Sequence, residues 1–136
     1  MPPMAAPMRI EHVALWVADL EACAAFYGRH FGATVGPRYE NPAKGYVSRF
    51  LSFGAGARVE LMSGTGIVPR DPAQPPRTTG LAHFALAVGG EGEVDALVAR
   101  LRAAGVPVVD GPRRTGDGYY EAVLLDPEGN RIEVTA

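Results

Sequence analysis

The chain has 136 residues, 47% of them hydrophobic and 21% charged, with a formal net charge of −2. That is a size for one compact domain and a balance that excludes an intrinsically disordered chain. No basic excess draws in nucleic acid or an anionic membrane surface, and no apolar run reaches the roughly 18 residues of a membrane span. Cys23 is the single cysteine, so no internal disulfide is available. Met1 to Pro7 lacks the basic flank and apolar stretch of a secretory signal, and the expectation is a cytoplasmic protein.

In chain order, Arg9 to Val17 alternates around Val13, Leu15 and Val17, the two-residue period of a half-buried strand. Asp19 offers an N-cap, and Leu20, Cys23, Ala24, Tyr27 and Phe31 recur at helical spacing until Gly32 stops the helix. Three strand-like runs follow, Thr34–Tyr39, Tyr46–Phe53 and Ala57–Ser63, the last two joined by the turn Gly54-Ala55-Gly56. Residues 64–80, rich in Gly, Pro and Thr, read as an exposed linker. Leu81 to Val88 then alternates around Phe84, Leu86 and Val88, and Val94, Leu97, Val98 and Leu101 form a second helical stripe ended by Gly105. Val106–Arg113, Tyr119–Asp126 and Asn130–Thr135 are the remaining strands, with Pro127-Glu128-Gly129 as the last tight turn.

The second half copies the first. His12 opens H-V-A-L-W-V and His83 opens H-F-A-L-A-V, 71 residues apart, with four of the six positions identical. Gly56-Ala-Arg-Val-Glu60-Leu returns 73 residues later as Gly129-Asn-Arg-Ile-Glu133-Val. Each half therefore reads as a βαβββ module, and the expected fold is α+β. One domain spans 1–136, with module one at about 8–63, the linker at 64–80 and module two at about 81–136. A sheet covered by one helix leaves its other face bare. Two such sheets solve that by curving around a shared cleft, within one chain or across a dimer.

Alternation decides what lines that bare face. With Val13, Leu15 and Val17 under the helix, His12, Ala14 and Trp16 point the other way. The same parity sets His83 opposite Phe84 and Leu86, Glu60 opposite Val59 and Leu61, and Glu133 opposite Ile132 and Val134. A carboxylate inside an apolar strand is costly unless paired or coordinated. Two imidazoles and two carboxylates around one divalent ion form a locally neutral cluster that relieves all four, so His12, Glu60, His83 and Glu133 are the expected metal ligands. A lone strand histidine is more often a plain core or surface residue, and it is the repetition that favours a metal. His30 has no counterpart and is expected to be a helix C-terminal or surface residue. Cys23, on the helix stripe, is expected to be a small buried apolar residue.

These motifs resemble the vicinal oxygen chelate superfamily of glyoxalase I, bleomycin-resistance proteins, fosfomycin-resistance transferases and extradiol dioxygenases. The carriers are His12 in R-I-E-H-V-A-L-W-V, the helix D-L-E-A-C-A-A-F-Y-G-R-H-F-G, Glu60 in R-V-E-L-M, His83 in G-L-A-H-F-A-L-A-V and Glu133 in D-P-E-G-N-R-I-E-V, nearly the whole chain. The full quartet is most similar to glyoxalase I. That resemblance implies a metal-dependent lyase or isomerase working through a metal-bound enediolate-type intermediate, with Glu133 or Glu60 moving a proton between adjacent carbons. It implies a homodimer as well, and a cofactor drawn from Zn, Ni, Co, Mn or Fe.

The chain departs from glyoxalase I at two positions. An Arg four residues after the first ligand and an Asn four after the second serve the glutathione moiety there, and this sequence has Trp16 and Gly64. An anionic tripeptide loses a bidentate partner, and the indole offers a stacking surface instead. Arg49, Arg58 and Arg131 are candidates to replace that charge. Trp16, Phe50, Tyr119 and Tyr120 are candidates for an aromatic wall, and Glu121 for a carboxyl beside Glu133. Two other functions compete with the enzyme: a binding protein that sequesters an aromatic antibiotic or metabolite, and an extradiol-type dioxygenase requiring Fe(II).

Overall fold

The computed structural model describes residues 1–136, which divide into two compact units, Met1–Ile67 and Val68–Ala136. The division falls within the linker expected from sequence. No helix is long and apolar enough to cross a membrane.

The first unit contains β1 (His12–Trp16), α1 (Leu20–Phe31), β2 (Thr34–Val35), β3 (Tyr39–Asn41), β4 (Tyr46–Ser52) and β5 (Arg58–Gly64). Its sheet runs β1-β5-β4-β2, with β3 also on β4, and only the β1–β5 pair is parallel. The Asp19 carboxylate accepts the Ala22 amide at 3.0 Å to start α1, and Gly32 ends it in the left-handed region at φ 67°. Leu20, Cys23, Ala24 and Tyr27 are buried on the helix side, as are Leu15, Val17, Leu51, Val59 and Leu61 from the strands. Each such aliphatic side chain contributes about 1.5–3 kcal/mol by leaving water. Cys23 is fully buried and in no disulfide, in keeping with its place on the apolar stripe.

One expected strand is two. The run Thr34–Tyr39 breaks at Gly36-Pro37-Arg38, because Pro37 has no amide to donate to a ladder. The Gly36 amide still donates to the Phe50 carbonyl at 2.8 Å, and pairing resumes at Tyr39. The first module is therefore βαββββ.

The second unit contains β6 (Phe84–Ala87), α2 (Glu91–Ala103), β7 (Val108–Arg114), β8 (Tyr120–Leu125) and β9 (Arg131–Thr135), in the order β6-β9-β8-β7. Again the first strand lies parallel to the last. The Glu93 carboxylate accepts the Gly90 amide at 2.9 Å at the head of α2. Val94, Leu97, Val98 and Leu101 bury one helix face, and Ala122, Leu124, Ile132 and Val134 bury one face of the strands. The buried Asp126 carboxylate accepts the amides of Glu128 and Asn130 and the Asn130 side-chain N–H, which shapes the D-P-E-G-N turn between β8 and β9.

His30 stands in the last turn of α1 against the Phe26 ring, centroids 4.9 Å apart. Burial, and then the charge of Arg29, hold its imidazole below the ordinary value of 6.5. As pH falls the unfolded chain takes up this proton before the folded one does. The neutral imidazole's share of stability is thus complete above about 6.5 and is lost as pH drops toward the lower folded value. His30→Gln is expected to flatten the stability profile through that range, read as urea midpoints across about pH 5–8.

Candidate functional site

Parallel pairing fixes the chemistry of each sheet. In the first unit Ala14 of β1 lies opposite Glu60 of β5, and in the second Ala85 of β6 lies opposite Glu133 of β9. Each histidine stands two residues before that alanine, on the same side of its strand. The imidazole therefore reaches diagonally to the carboxylate in both halves. His12 Nε2 is 3.7 Å from Glu60 Oε1, and His83 Nε2 is 3.1 Å from Glu133 Oε2. Both imidazoles are 40% exposed, whereas the carboxylates are only 14% and 16% exposed. A half-open nitrogen beside a mostly buried oxygen is a donor pair facing outward from the helix-free side of its sheet. Neither unit by itself gathers three or more His, Cys, Asp or Glu side chains into a metal-binding group. Each supplies one imidazole nitrogen and one carboxylate oxygen.

The surroundings of the two pairs differ. In the first unit Phe50 lies opposite Glu60 and stands edge-on to His12, centroids 5.2 Å apart. Trp16 lies opposite Met62 on the same face and is 58% exposed. In the second unit Val123 takes the place of Phe50, and Glu121 lies two residues before it on the same face. Burial raises the Glu121 carboxyl above the usual range, and a hydrogen bond shared with Glu133 and the charge of Glu133 raise it further. Irregular pairing between β7 and β8 sets Arg113 directly opposite Glu121. Its Nε donates to Asp110 Oδ2 at 2.9 Å. The repeat equivalent of Glu121 in the first unit is Ser48, whose buried hydroxyl has no hydrogen-bond partner. Extending the 73-residue offset from the glutamates to their neighbours is the sequence signal that would have exposed this contrast.

Two substrate candidates, Arg49 and Tyr120, fall on the helix side of their sheets, away from the histidines. Arg49 pairs with Leu61 and points toward α1, where its Nε donates to Glu21 and its Nη1 donates to the Gly36 carbonyl at 2.8 Å. Odd-numbered residues of β4 share the helix side with Leu51, so the strand period separates Arg49 from His12. Tyr120 shares the helix side with Ala122 and Leu124, and its hydroxyl donates to Asp95 of α2. Of the other candidates, Arg58 lies 4.1 Å above the Phe50 ring, Arg131 is exposed at the start of β9, and Tyr119 is exposed in the turn before β8. Gly64 is sterically closed, since a Cβ there would lie 2.1 Å from the Gly45 carbonyl oxygen. No asparagine fits at that position with this backbone. Arg49→Ala is expected to cost about 1 kcal/mol of stability, measured by urea denaturation, and to leave divalent-metal affinity unchanged.

The chain resembles known proteins over nearly its full length. It is 32% identical over 130 residues to a lactoylglutathione lyase of Arabidopsis thaliana, which covers 93% of this chain and 43% of that protein. The chain thus spans less than half the length of that relative. An uncharacterised protein of Pseudomonas aeruginosa is 35% identical over 127 residues, covering 91% of this chain and 85% of the relative. Among solved structures, the trypanothione-dependent glyoxalase I of Leishmania major superposes with a TM-score of 0.75 at 26% identity, covering 95% of this chain and 86% of the other. The family model for the Glyoxalase/Bleomycin resistance protein/Dioxygenase superfamily matches residues 9–134, and the chain belongs to that superfamily.

Proposed function

We propose that this protein is a divalent-metal-dependent, glyoxalase-like lyase or isomerase acting on a small oxygenated substrate. The carrying observation is the His–Glu pair that recurs at one register on the helix-free face of both sheets. His12, Glu60, His83 and Glu133 would hold the ion, either zinc, nickel, cobalt, manganese or iron. When bound, the ion supplies positive charge that stabilises oxygens of the substrate and acidifies the neighbouring C–H. Glu133 is the base in this reading: an oxygen of its carboxylate takes a proton from one carbon and returns it to the next. Glu121, hydrogen-bonded to Glu133, orients that carboxylate. Glu60 holds the equivalent position in the first unit. Trp16 and Phe50 offer an apolar, aromatic flank to the carbon skeleton.

Glutathione is disfavoured as the carrier. Trp16 supplies no guanidinium, the closed backbone at Gly64 excludes an asparagine, and Arg49 is engaged with Glu21 on the other face. A homodimer and a cytoplasmic location complete the proposal. The exposed indole of Trp16 favours a second reading, sequestration of an aromatic ligand without turnover.

Metal analysis of protein purified without chelator separates the two. The expected result is one ion per chain, lost in His12→Ala and in His83→Ala alike. Glu133→Gln is expected to lower kcat by about 10²–10⁴-fold while the fold persists. Assays on methylglyoxal with and without glutathione test the substrate. A metal-free protein that binds aromatic ligands with quenching of Trp16 fluorescence would overturn the enzyme in favour of sequestration.

A further inference from the structure

The two histidines are held differently, and the difference begins one residue before the first. His12 Nδ1 lies 3.2 Å from Glu11 Oε1, on the opposite side of the ring from the Nε2 that faces Glu60. An ionised carboxylate only accepts hydrogen bonds, so this contact requires the proton on Nδ1. Glu11 is kept ionised by two cations: Arg58 donates from Nη2 to the same Oε1, and Arg9 Nη2 lies 3.8 Å from Oε2.

Its backbone is fixed too, since the Glu11 carbonyl accepts the Arg58 amide at 2.9 Å where β1 meets β5. The Arg58 guanidinium sits 4.1 Å over the Phe50 ring, and Phe50 meets the His12 imidazole edge-on at 81°. Glu11, Arg58, Phe50 and His12 therefore close a ring of contacts around one imidazole. In the second unit the residue before His83 is Ala82, and the equivalent of Phe50 is Val123. Arg131 is present at the position of Arg58 but has no carboxylate at Ala82 to hold.

We propose that Glu11 is a positioning residue that locks His12 in the Nδ1–H tautomer and leaves the Nε2 lone pair free to bind metal alongside Glu60. Arg58 and Phe50 hold Glu11 and the ring in place. A carboxylate behind a ligating imidazole fixes its orientation and raises its basicity, and losing such a partner costs about 10–100-fold in metal affinity. His12 is then held from behind at Nδ1, a support that Ala82 cannot give His83. The inference rests on the metal reading above, and its test has a readout that needs no metal.

Ring nitrogen NMR on metal-free protein labelled at histidine reads the tautomer directly. Only three histidines need assignment, and His83 serves as the internal control. With neutral imidazoles, the wild type is expected to show protonated Nδ1 and bare Nε2 at His12. Glu11→Leu is expected to shift His12 toward protonated Nε2 while His83 stays unchanged. Glu11→Gln retains a carbonyl acceptor and is expected to keep the wild-type tautomer. Competition titration with Zn²⁺ is expected to show affinity about 10–100-fold lower in Glu11→Leu, with Glu11→Gln recovering part of it. Unaltered thermal melting of both variants shows that the fold is retained.

A wild-type His12 with protonated Nε2, or a Glu11→Leu variant unchanged in tautomer, overturns the positioning role whether or not Zn²⁺ binds. A Glu11-dependent tautomer in a protein that takes up no divalent ion supports the positioning and overturns the metal reading instead.

Discussion

Parallel pairing of the first and last strand of each module is the constraint on which the site depends. A parallel ladder sets a fixed stagger between neighbouring strands, so a histidine two residues before the position facing a glutamate meets that carboxylate diagonally. The arrangement needs no loop and no long-range accident. It follows from register, strand alternation and a helix that claims the other face. Because both modules obey the same register, both present an imidazole nitrogen and a carboxylate oxygen from a rigid element. That rigidity suits a site whose geometry must be held within a fraction of an ångström.

What surrounds the two pairs has diverged. Around the first are Phe50, Trp16, Met62 and the unpartnered hydroxyl of Ser48, an apolar setting with one carboxylate behind the histidine. Around the second are Glu121, Arg113 and Thr135, a polar setting in which the additional acid stands beside the glutamate. One half thus stiffens its imidazole, and the other adds proton-handling groups near its carboxylate. Divergence of this kind is suited to a reaction in which the two glutamates have unequal roles.

Much of this was legible in the sequence because its signals are local. Alternation around Val13, Leu15 and Val17 put His12 on the bare face, and the 71- and 73-residue offsets carried the argument to His83 and Glu133. The helices were marked by Asp19, Gly32 and their apolar stripes. Strand phase divides the remaining candidates between the two faces. Arg49 and Phe50 are neighbours in sequence and therefore lie on opposite faces, and the same period sends Tyr120 to α2 and Glu121 to Glu133. Pro37 cut a predicted strand in two for want of one amide. Glu11 carried no motif, since its partner Arg58 is 47 residues away and only the β1–β5 register brings them together. Gly64 looked like a lost ligand contact, whereas the approach of the Gly45 carbonyl shows a steric cause.

The central proposal is that His12, Glu60, His83 and Glu133 bind a divalent ion. X-ray absorption at the metal edge of loaded protein tests this most directly. The account predicts two imidazole nitrogens among the nearest neighbours of the ion, falling to one when either His12 or His83 is replaced by Ala in samples loaded with excess metal. A coordination shell of oxygen alone, or one imidazole that survives replacement of His12 and disappears only with His83, would contradict it.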